Sequence, residues 1–236
     1  MGVCVLVMGE SGSGKSTSLR NFKRGEVGVF NVCGKMLPFK SDIPVQNVPG
    51  FIVNNFKYKS QSGKELVRSN ISRNPYDFLR EALPQKKAKS IVVDDSQYLM
   101  AFELFNRAKE SGYEKFTEIG VNFYHLIQLA MELPPEKIVY FLHHIDTDST
   151  TGKIKAKTIG KMLDEKICLE GLFTIVLLCK TDGPRHWFEV QTDGNTTVKT
   201  PIGMFDDGEN TIDNDLKYVD RKIREFWNLP ANEVEA

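Results

Sequence analysis

Eight consecutive residues near the start of the chain have the types and spacing of a phosphate-binding loop. The stretch 9–16 reads GESGSGKS and matches the pattern G-x-x-x-x-G-K-[ST]. Glycines allow the backbone N–H groups to approach phosphate oxygens closely, while Lys15 reaches the β- and γ-phosphates and the Ser16 hydroxyl ligates Mg²⁺. We therefore expect ATP and Mg²⁺ as cofactors, with a catalytic contribution from Lys15. The predicted phosphate contacts are Gly9, Glu10, Ser11, Gly12, Ser13, Gly14, Lys15, Ser16 and Thr17.

Two adjacent acids end a later apolar segment, IVVDD at 91–95. A phosphate-binding loop needs a second acid near the metal, and we predict that Asp94 supplies it together with Ser16. Asp95 is predicted to polarise the attacking water, because a carboxylate beside a magnesium ligand can do so. The plainer alternative for both acids is that they form a turn or cap the helix that follows.

The chain order also predicts which strand tip faces the phosphates. Two helix-containing segments separate the first strand from Asp94, which favours an additional strand between these two in the sheet. The tip of the next strand, FLHH at 141–144, would then point at the γ-phosphate. His143 or His144 would sense or neutralise charge there, with His144 the preferred candidate. Otherwise both are ordinary half-exposed residues.

These candidates require a frame of parallel strands and helices. Apolar runs of strand length alternate with segments of helical spacing, which predicts an α/β fold with a mainly parallel sheet flanked by helices. We expect one domain over 1–236, with an irregular excursion at 38–90 that includes a hairpin. Strands are predicted at 3–8, 27–30, 90–95, 137–144 and 173–180, with an antiparallel edge strand at 185–192. Helices are predicted at 15–22, 74–83, 97–109, 114–132, 158–173 in part, and 211–228.

Composition narrows the classes of function. The chain has 236 residues and equal numbers of basic and acidic residues, 31 of each, so any contact with nucleic acid needs a local basic patch. Four cysteines show no metal-type spacing, and nothing resembles a signal peptide or a membrane span. Reduced thiols and a cytoplasmic location are expected.

Four stretches of this chain resemble one family, the phage-encoded RecA-like, AAA-type ATP-binding proteins that assist single-strand annealing and recombination. They are the loop at 9–16, IVVDDS at 91–96, VYFLHHI at 139–145 and KTPIGMF at 199–205, and FNVCGKMLPF is a further specific phrase. The resemblance implies a RecA-like P-loop NTPase core, ATP hydrolysis, and binding to single-stranded DNA or a single-strand-binding protein. It also implies a ring or filament of identical subunits, and host-cell cytoplasm as the location.

The chain departs from that family at the end of the second strand. RecA-like recombinases usually place a catalytic glutamate there, whereas VFNVCGK puts Cys33 or its neighbour in that place. A thiol is a poor base for water unless its pKa is strongly perturbed. Either Asp95 takes the role or hydrolysis is slow, and we expect a slow ATPase assisted by Asp95.

Alternating lysines follow the fourth strand, in DSTTGKIKAKTIGK. In a RecA-type core this loop lies by the central channel, so the lysines are predicted to contact DNA phosphates. They are alternatively a solvated loop, or they reach the γ-phosphate of a neighbouring subunit. The lysines are Lys153, Lys155, Lys157 and Lys161.

The predicted function is Mg²⁺-dependent ATP binding with slow hydrolysis, acting in phage DNA recombination or single-strand annealing. A nucleotide-gated binding module with little turnover is one alternative, which the missing glutamate favours. A small-molecule or nucleotide kinase is another. Such kinases close an arginine-rich lid over the phosphoryl group, and no compact arginine cluster follows the fourth strand.

Overall fold

The computed structural model describes residues 1–159, 168–206 and 208–232, which form an α/β fold. The strands are β1 (Val3–Gly9), β2 (Val27–Asn31), β3 (Val45–Asn47), β4 (Ile52–Lys59), β5 (Glu65–Arg73), β6 (Ser90–Asp94), β7 (Ile138–Thr147), β8 (Ile154–Ala156), β9 (Ile175–Thr181), β10 (His186–Glu189) and β11 (Thr211–Asp213). The helices are α1 (Pro75–Gln85), α2 (Gln97–Asn106), α3 (Glu114–Glu132) and α4 (Leu216–Phe226).

A mixed, mainly parallel sheet runs through the molecule in the order β11-β10-β9-β1-β7-β6-β2-β3. The strands from β9 to β3 are parallel, whereas β10 and β11 add an antiparallel edge. Strand β8 folds back on the far end of β7, and β4 pairs with β5 in a separate hairpin. The predicted antiparallel edge is confirmed. The intervening strand is confirmed as well, since β7 lies between β1 and β6.

The central strands are apolar along their whole length because both faces of the sheet are covered. In β1, Leu6 and Met8 face one side and pack in a core with α1, α2 and α3. Val5 and Val7 face the other side, in a core with α4. Every residue of β1 from Cys4 to Gly9 is buried. The sheet is therefore the middle layer of three, and the polar residues of the site must lie at the ends of its strands.

Helix α1 begins as its sequence predicts. The Asn74 side chain accepts a hydrogen bond from the backbone N–H of Tyr76, 3.0 Å away, and Pro75 occupies the first turn, where a missing N–H costs nothing. Helix α3 has the predicted bounds, with Ile119, Phe123 and other apolar residues of its stripe buried. The predicted strand at 137–144 also forms, but it continues to Thr147 because β8 pairs with its end.

Several predicted helix boundaries are wrong. The helix predicted at 97–109 ends at Asn106. The helix expected at 15–22 is a single turn of 3-10 helix at Ser16–Leu19, because serine and threonine hydroxyls compete for backbone groups. Ser18 Oγ, for example, donates to the Lys15 carbonyl at 2.6 Å. The last helix does not include Ile212, which pairs with Phe188 in the sheet. Asp215 caps this helix by accepting from the N–H of Lys217 at 2.9 Å, so α4 starts at Leu216.

A buried polar network fastens α4 to the start of β6. Asp220 accepts hydrogen bonds from Arg224 Nε at 2.7 Å, from Tyr140 Oη at 2.9 Å and from the Ser90 hydroxyl. Arg224 also donates to Ser90 Oγ at 3.1 Å, and Asn232 donates to the same oxygen at 2.8 Å. The side chains of Asp220 and Arg224 are only 2% and 3% exposed. Each charge of the pair is therefore matched inside the protein.

The excursion at 38–90 contains the expected hairpin and helix, and it also contains strand β3, which was not predicted. Half of the predicted helix at 158–173, residues 160–167, falls outside the described residues, and its end, Leu169–Leu172, is one turn of 3-10 helix. The four cysteines are free thiols. In the parts of the chain that the structure describes, no helix combines the length and apolar character needed to cross a membrane.

Candidate functional site

The glycine-rich loop lies where β1 ends, at the edge of the sheet formed by the carboxyl ends of the parallel strands. Gly12 and Gly14 have φ values of 81° and 102°, in the left-handed region that favours glycine. A Cβ atom on Gly14 would lie 2.9 Å from the His186 ring. The loop therefore needs glycine at this position for its backbone conformation and for space.

Two side chains on the neighbouring strands β9 and β10, Cys179 and His186, form hydrogen bonds to the loop. The carbonyl oxygen of Ser13 accepts from His186 Nδ1 at 2.8 Å and from Cys179 Sγ at 3.0 Å. Asn214 in turn donates to Cys179 Sγ at 3.1 Å. Because a carbonyl only accepts, the proton of His186 sits on Nδ1. These supports escaped the sequence reasoning, since no local pattern links positions more than 160 residues apart.

Lys15 is folded back onto its own loop. Its ammonium donates to the carbonyl oxygens of Gly9 and Glu10, each at 2.8 Å. The residue is 6% exposed, and burial lowers its pKa, while the nearby carboxylates of Asp94 and Asp95 oppose that shift. The lysine is thus held at the loop with carbonyl partners that an anion can replace.

Ser16 and Asp94 meet as the sequence predicted for a pair of metal-side ligands. The Ser16 hydroxyl donates to the Asp94 carboxylate, with Oγ 2.9 Å and 3.0 Å from its two oxygens. Asp94 is 7% exposed, and burial together with the charge of Asp95 raises its pKa to about 6. Removing a carboxylate from water is costly unless a cation compensates for it, so this position favours a cation close to Asp94.

Asp95 follows directly, with a φ of 59° that places a non-glycine residue in the left-handed region. Its carboxylate accepts from Lys35 Nζ at 2.8 Å, from His144 Nε2 at 3.3 Å and from the Cys33 thiol. Burial alone would raise the pKa of Asp95, but the bonds from His144 and Lys35 outweigh it and hold this pKa well below its usual range. With these donors in place, Asp95 is a weak base.

Lys35 is the site residue that sequence reasoning missed. It comes from the VCGK segment after β2, which also contains Cys33, the residue predicted to stand in the place of the glutamate. Burial raises the pKa of Cys33 to about 12, and the adjacent Asp95 carboxylate contributes, so the thiol is protonated and cannot activate water. The Lys35 side chain is 64% exposed, which leaves its ammonium able to turn towards another anion. A lysine following the strand beside Asp94 was the available signal.

The two histidines at the end of β7 have different surroundings. His143 is fully buried: Nε2 donates to the Lys157 carbonyl at 2.8 Å, and Nδ1 lies 2.9 Å from the Ser96 hydroxyl. Burial lowers its pKa to about 4. His144 contacts Asp95 and lines the pocket beside the loop. Of the two predicted candidates, His144 lies at the pocket and His143 supports the strand behind it.

These side chains surround a pocket of about 230 Å³. Both lysines, Lys15 and Lys35, line it, and so do Asp94, Asp95 and His144. Among the predicted phosphate contacts, Gly9, Glu10 and Ser13 do not line it, and the first two instead hold Lys15. The loop residues that do line it are Ser11, Gly12, Gly14, Lys15, Ser16 and Thr17.

Within the described residues, no group of three or more histidine, cysteine, aspartate or glutamate side chains is placed to hold a metal by itself. Magnesium commonly uses one or two carboxylates and completes its shell with water and substrate phosphates. One hydroxyl and one carboxylate, from Ser16 and Asp94, are the donor set for that arrangement. The pair therefore fits a metal that arrives with a phosphate ligand.

Three of the four predicted DNA-contacting lysines lie in the described part of the chain. Lys153 is exposed, and Lys155 Nζ lies 3.6 Å from the Asp148 carboxylate. The backbone N–H of Lys157 donates to the His144 carbonyl at 2.9 Å, so this ribbon of β7 and β8 starts beside the pocket. Lys161 lies outside the described residues. None of the three described lysines lines the pocket.

Comparisons with known proteins do not assign the site. A scan against protein-family models finds no match, and a search of curated proteins finds none either.

Proposed function

We propose that the chain is a RecA-like P-loop NTPase that binds ATP with Mg²⁺ and hydrolyses it slowly. The observation that carries the proposal is the meeting of Ser16 and Asp94, 78 residues apart in the chain, in the pocket that the glycine-rich loop borders. A hydroxyl and a carboxylate beside a loop with a buried lysine suit a metal–triphosphate better than an uncharged ligand.

Each residue has a role that follows from its surroundings. Lys15 exchanges the carbonyls of Gly9 and Glu10 for phosphate oxygens, and the loop N–H groups bind the remaining oxygens. Ser16 and Asp94 would hold Mg²⁺, which supplies charge neutralisation along the phosphates when bound. Lys35 and His144 line the same pocket beside Asp95, where they would neutralise charge that develops on the transferring phosphate.

Slow turnover follows from the state of Asp95. A carboxylate that already accepts from Lys35, His144 and Cys33 takes a proton from water poorly. Lys35 has to leave Asp95 before this acid can orient a water molecule, and a γ-phosphate is the anion that would draw the lysine away. Hydrolysis is then slowed because Asp95 is free to orient water only in the fraction of molecules in which Lys35 has left it.

The hydrogen bonds that Asp95 accepts also favour a second candidate function, a nucleotide-gated binding module with little turnover. In that case Lys35 stays with Asp95, and ATP changes the affinity for a partner without being consumed. The wider role in phage DNA recombination or annealing, with single-stranded DNA and a homo-oligomeric ring or filament, rests on the resemblance of four sequence stretches. A DNA-stimulated ATPase rate would separate the first candidate from the second.

The test of the nucleotide site is Lys15→Ala, measured by isothermal titration with ATP and Mg²⁺. Binding should be lost, whereas Lys23→Ala, which removes an exposed lysine outside the pocket, should leave it unchanged. Because Lys15 also ties the loop together, the thermal melt of the variant without nucleotide shows whether the fold persists. Normal ATP affinity in a folded Lys15→Ala protein would refute the phosphate-site assignment.

A further inference from the structure

The hairpin of β4 and β5 has one face whose aromatic residues do not pack against the core. Cross-strand pairs place Phe56 opposite Arg68, and Tyr58 opposite Leu66, on one face. The other face carries Val53 opposite Ile71, and both of these pack against the core beside α1–α3. Because side chains alternate along a strand, the face with Phe56 and Tyr58 points away from the core.

Two aromatic rings stand open on this outer face. Phe56 is 49% exposed and Tyr58 is 42% exposed. Neither ring stacks on another ring or lies beneath a cation within the part of the chain that is described. Residues two apart on a strand lie about 6.8 Å from each other, roughly twice the 3.4 Å rise per nucleotide. Each ring therefore has room for a flat base on its surface.

The hairpin is also basic in a chain whose charges balance overall. Between Ile52 and Arg73 only Glu65 is acidic, and it pairs with Lys57 at 2.8 Å. Arg68 and the exposed Lys59 and Lys64 form no ion pair with any described residue. The basic residues of the hairpin are Lys57, Lys59, Lys64, Arg68 and Arg73.

From these observations we infer that the outer face of the β4–β5 hairpin binds single-stranded nucleic acid. Phe56 and Tyr58 stack on bases, while Arg68 on the same face and Lys64 in the turn contact phosphates. Aromatic rings combined with positive charge are the means by which single strands are bound without sequence preference. The ribbon lysines predicted from the sequence lack such rings. This inference deepens the proposed function, and rests on it for the biological setting only, because it names the surface that holds the strand.

The test uses the full chain without nucleotide, titrated into fluorescently labelled oligo-dT of about 20 bases. Replacing both Phe56 and Tyr58 by Ser should weaken binding at least about tenfold, since two bases lose the rings on which they stack. Replacing Lys64 and Arg68 by Ala should weaken binding and flatten its dependence on salt, because fewer counterions are released. Oligo-rU of equal length should bind comparably, since rings and phosphates are common to both strands.

Matched controls come from α4, on the opposite face of the sheet. Phe226→Ser removes a ring that is 37% exposed, and Arg221→Ala removes an exposed cation, and neither should change binding to oligo-dT. Sedimentation of each variant reports whether the hairpin instead joins two copies of this chain. A thermal melt and ATP titration of the Phe56/Tyr58 variant show that the fold and the nucleotide site persist.

The inference is overturned by unchanged oligo-dT affinity in the Phe56/Tyr58 variant, by equal affinity for duplex DNA, or by no binding in the wild type. A loss of self-association without a change in DNA affinity would assign the face to a second copy and overturn it too. Because DNA binding is measured without ATP, these results are independent of those for Lys15→Ala.

Discussion

At the scale of single residues, the proposed function predicts that Asp95 is needed for hydrolysis and not for nucleotide binding. Its left-handed backbone is tolerated by asparagine better than by most residues, so Asp95→Asn removes the charge without added strain. We expect the ATP dissociation constant to stay within about threefold and the hydrolysis rate to fall at least about a hundredfold, the usual contribution of a general base. Steady-state phosphate release and ATP titration measure the two quantities.

Asp146→Asn is the matched control, because Asp146 is an exposed acid near the end of the same strand as His144. It should hydrolyse ATP at the wild-type rate. An unchanged rate in Asp95→Asn would remove Asp95 from the mechanism and favour the binding module.

Lys35 is expected to distinguish ATP from ADP. In Lys35→Met the pocket loses the cation that can turn from Asp95 to the γ-phosphate. A hydrogen bond to a charged group contributes about 1.5–3 kcal/mol, so ATP should bind about tenfold more weakly while ADP binding stays within about twofold. Competition titrations with the two nucleotides measure the ratio. Lys40→Met is the control in the same segment, and equal losses for ATP and ADP in Lys35→Met would place Lys35 elsewhere.

His143 makes the free energy of unfolding depend on pH, and its lowered pKa means that stability falls as the pH falls. Its pKa is lowered to about 4 in the folded protein, against an ordinary value near 6.5, so the unfolded chain binds more protons between these two values. Stability is therefore lost as pH falls through that window, by about 2 kcal/mol between pH 7 and 5. Asp94, with its pKa raised to about 6, contributes a slope of opposite sign.

Urea unfolding of wild type and His143→Gln at both pH values isolates the histidine, because Asp94 is common to the two proteins. The loss of stability between pH 7 and 5 should be smaller in the variant by about 2 kcal/mol. Identical pH dependence in the two proteins would show that His143 is not neutral and buried as the structure places it.

At the scale of elements, α4 is held by its buried ion pair as well as by apolar residues. Arg224→Met leaves Asp220 charged and unpaired in a site where it is 2% exposed. Losing one partner of a buried pair costs about 3–5 kcal/mol. Arg221→Ala, on the same helix, breaks an exposed pair with Glu225 and should cost less than about 1 kcal/mol. Urea unfolding compares the two, and similar losses would contradict this account.

The sequence predicted those elements that have strong local signals. Asn74 and Pro75 mark the start of α1, and the spacing of apolar residues in α3 gave its bounds correctly. The sequence did not predict elements whose structure depends on a partner far away in the chain. Ile212 continues the apolar spacing of α4, but it pairs with Phe188 in the sheet instead. The site divides in the same way. Asp94 follows from a strand end, whereas the position of Lys35 depends on how the segment after β2 folds over Asp95.

At the scale of the whole molecule, the β4–β5 hairpin is an addition to the fold. Its strands pair only with each other among the described strands, so the main sheet does not depend on them. Replacing residues 54–70 by a short Gly-Ser turn should retain ATP binding and lower stability modestly, by about 1–3 kcal/mol, the order expected for a few partly buried apolar side chains. The same deletion should remove the binding of oligo-dT.

ATP titration, a thermal melt and anisotropy with oligo-dT measure the three properties of the deletion variant. A variant in which residues 54–70 are kept but Lys57 is changed to Ala serves as control, since Lys57 lies on the other face and is paired with Glu65. Loss of ATP binding on deletion would mean that the hairpin belongs to the nucleotide site.

The ribbon of β7 and β8 is bonded directly to the pocket wall, so binding at one can change the free energy of binding at the other. His143 and His144 bond to the backbone of Lys157, so the wall of the pocket and the lysine-bearing ribbon are parts of one hydrogen-bonded element. If ATP binds in the pocket as proposed, a ligand on the ribbon that shifts this element also changes the affinity for ATP. Thermodynamic reciprocity then requires that if a ligand on the ribbon strengthens ATP binding by some factor, ATP strengthens the binding of that ligand by the same factor.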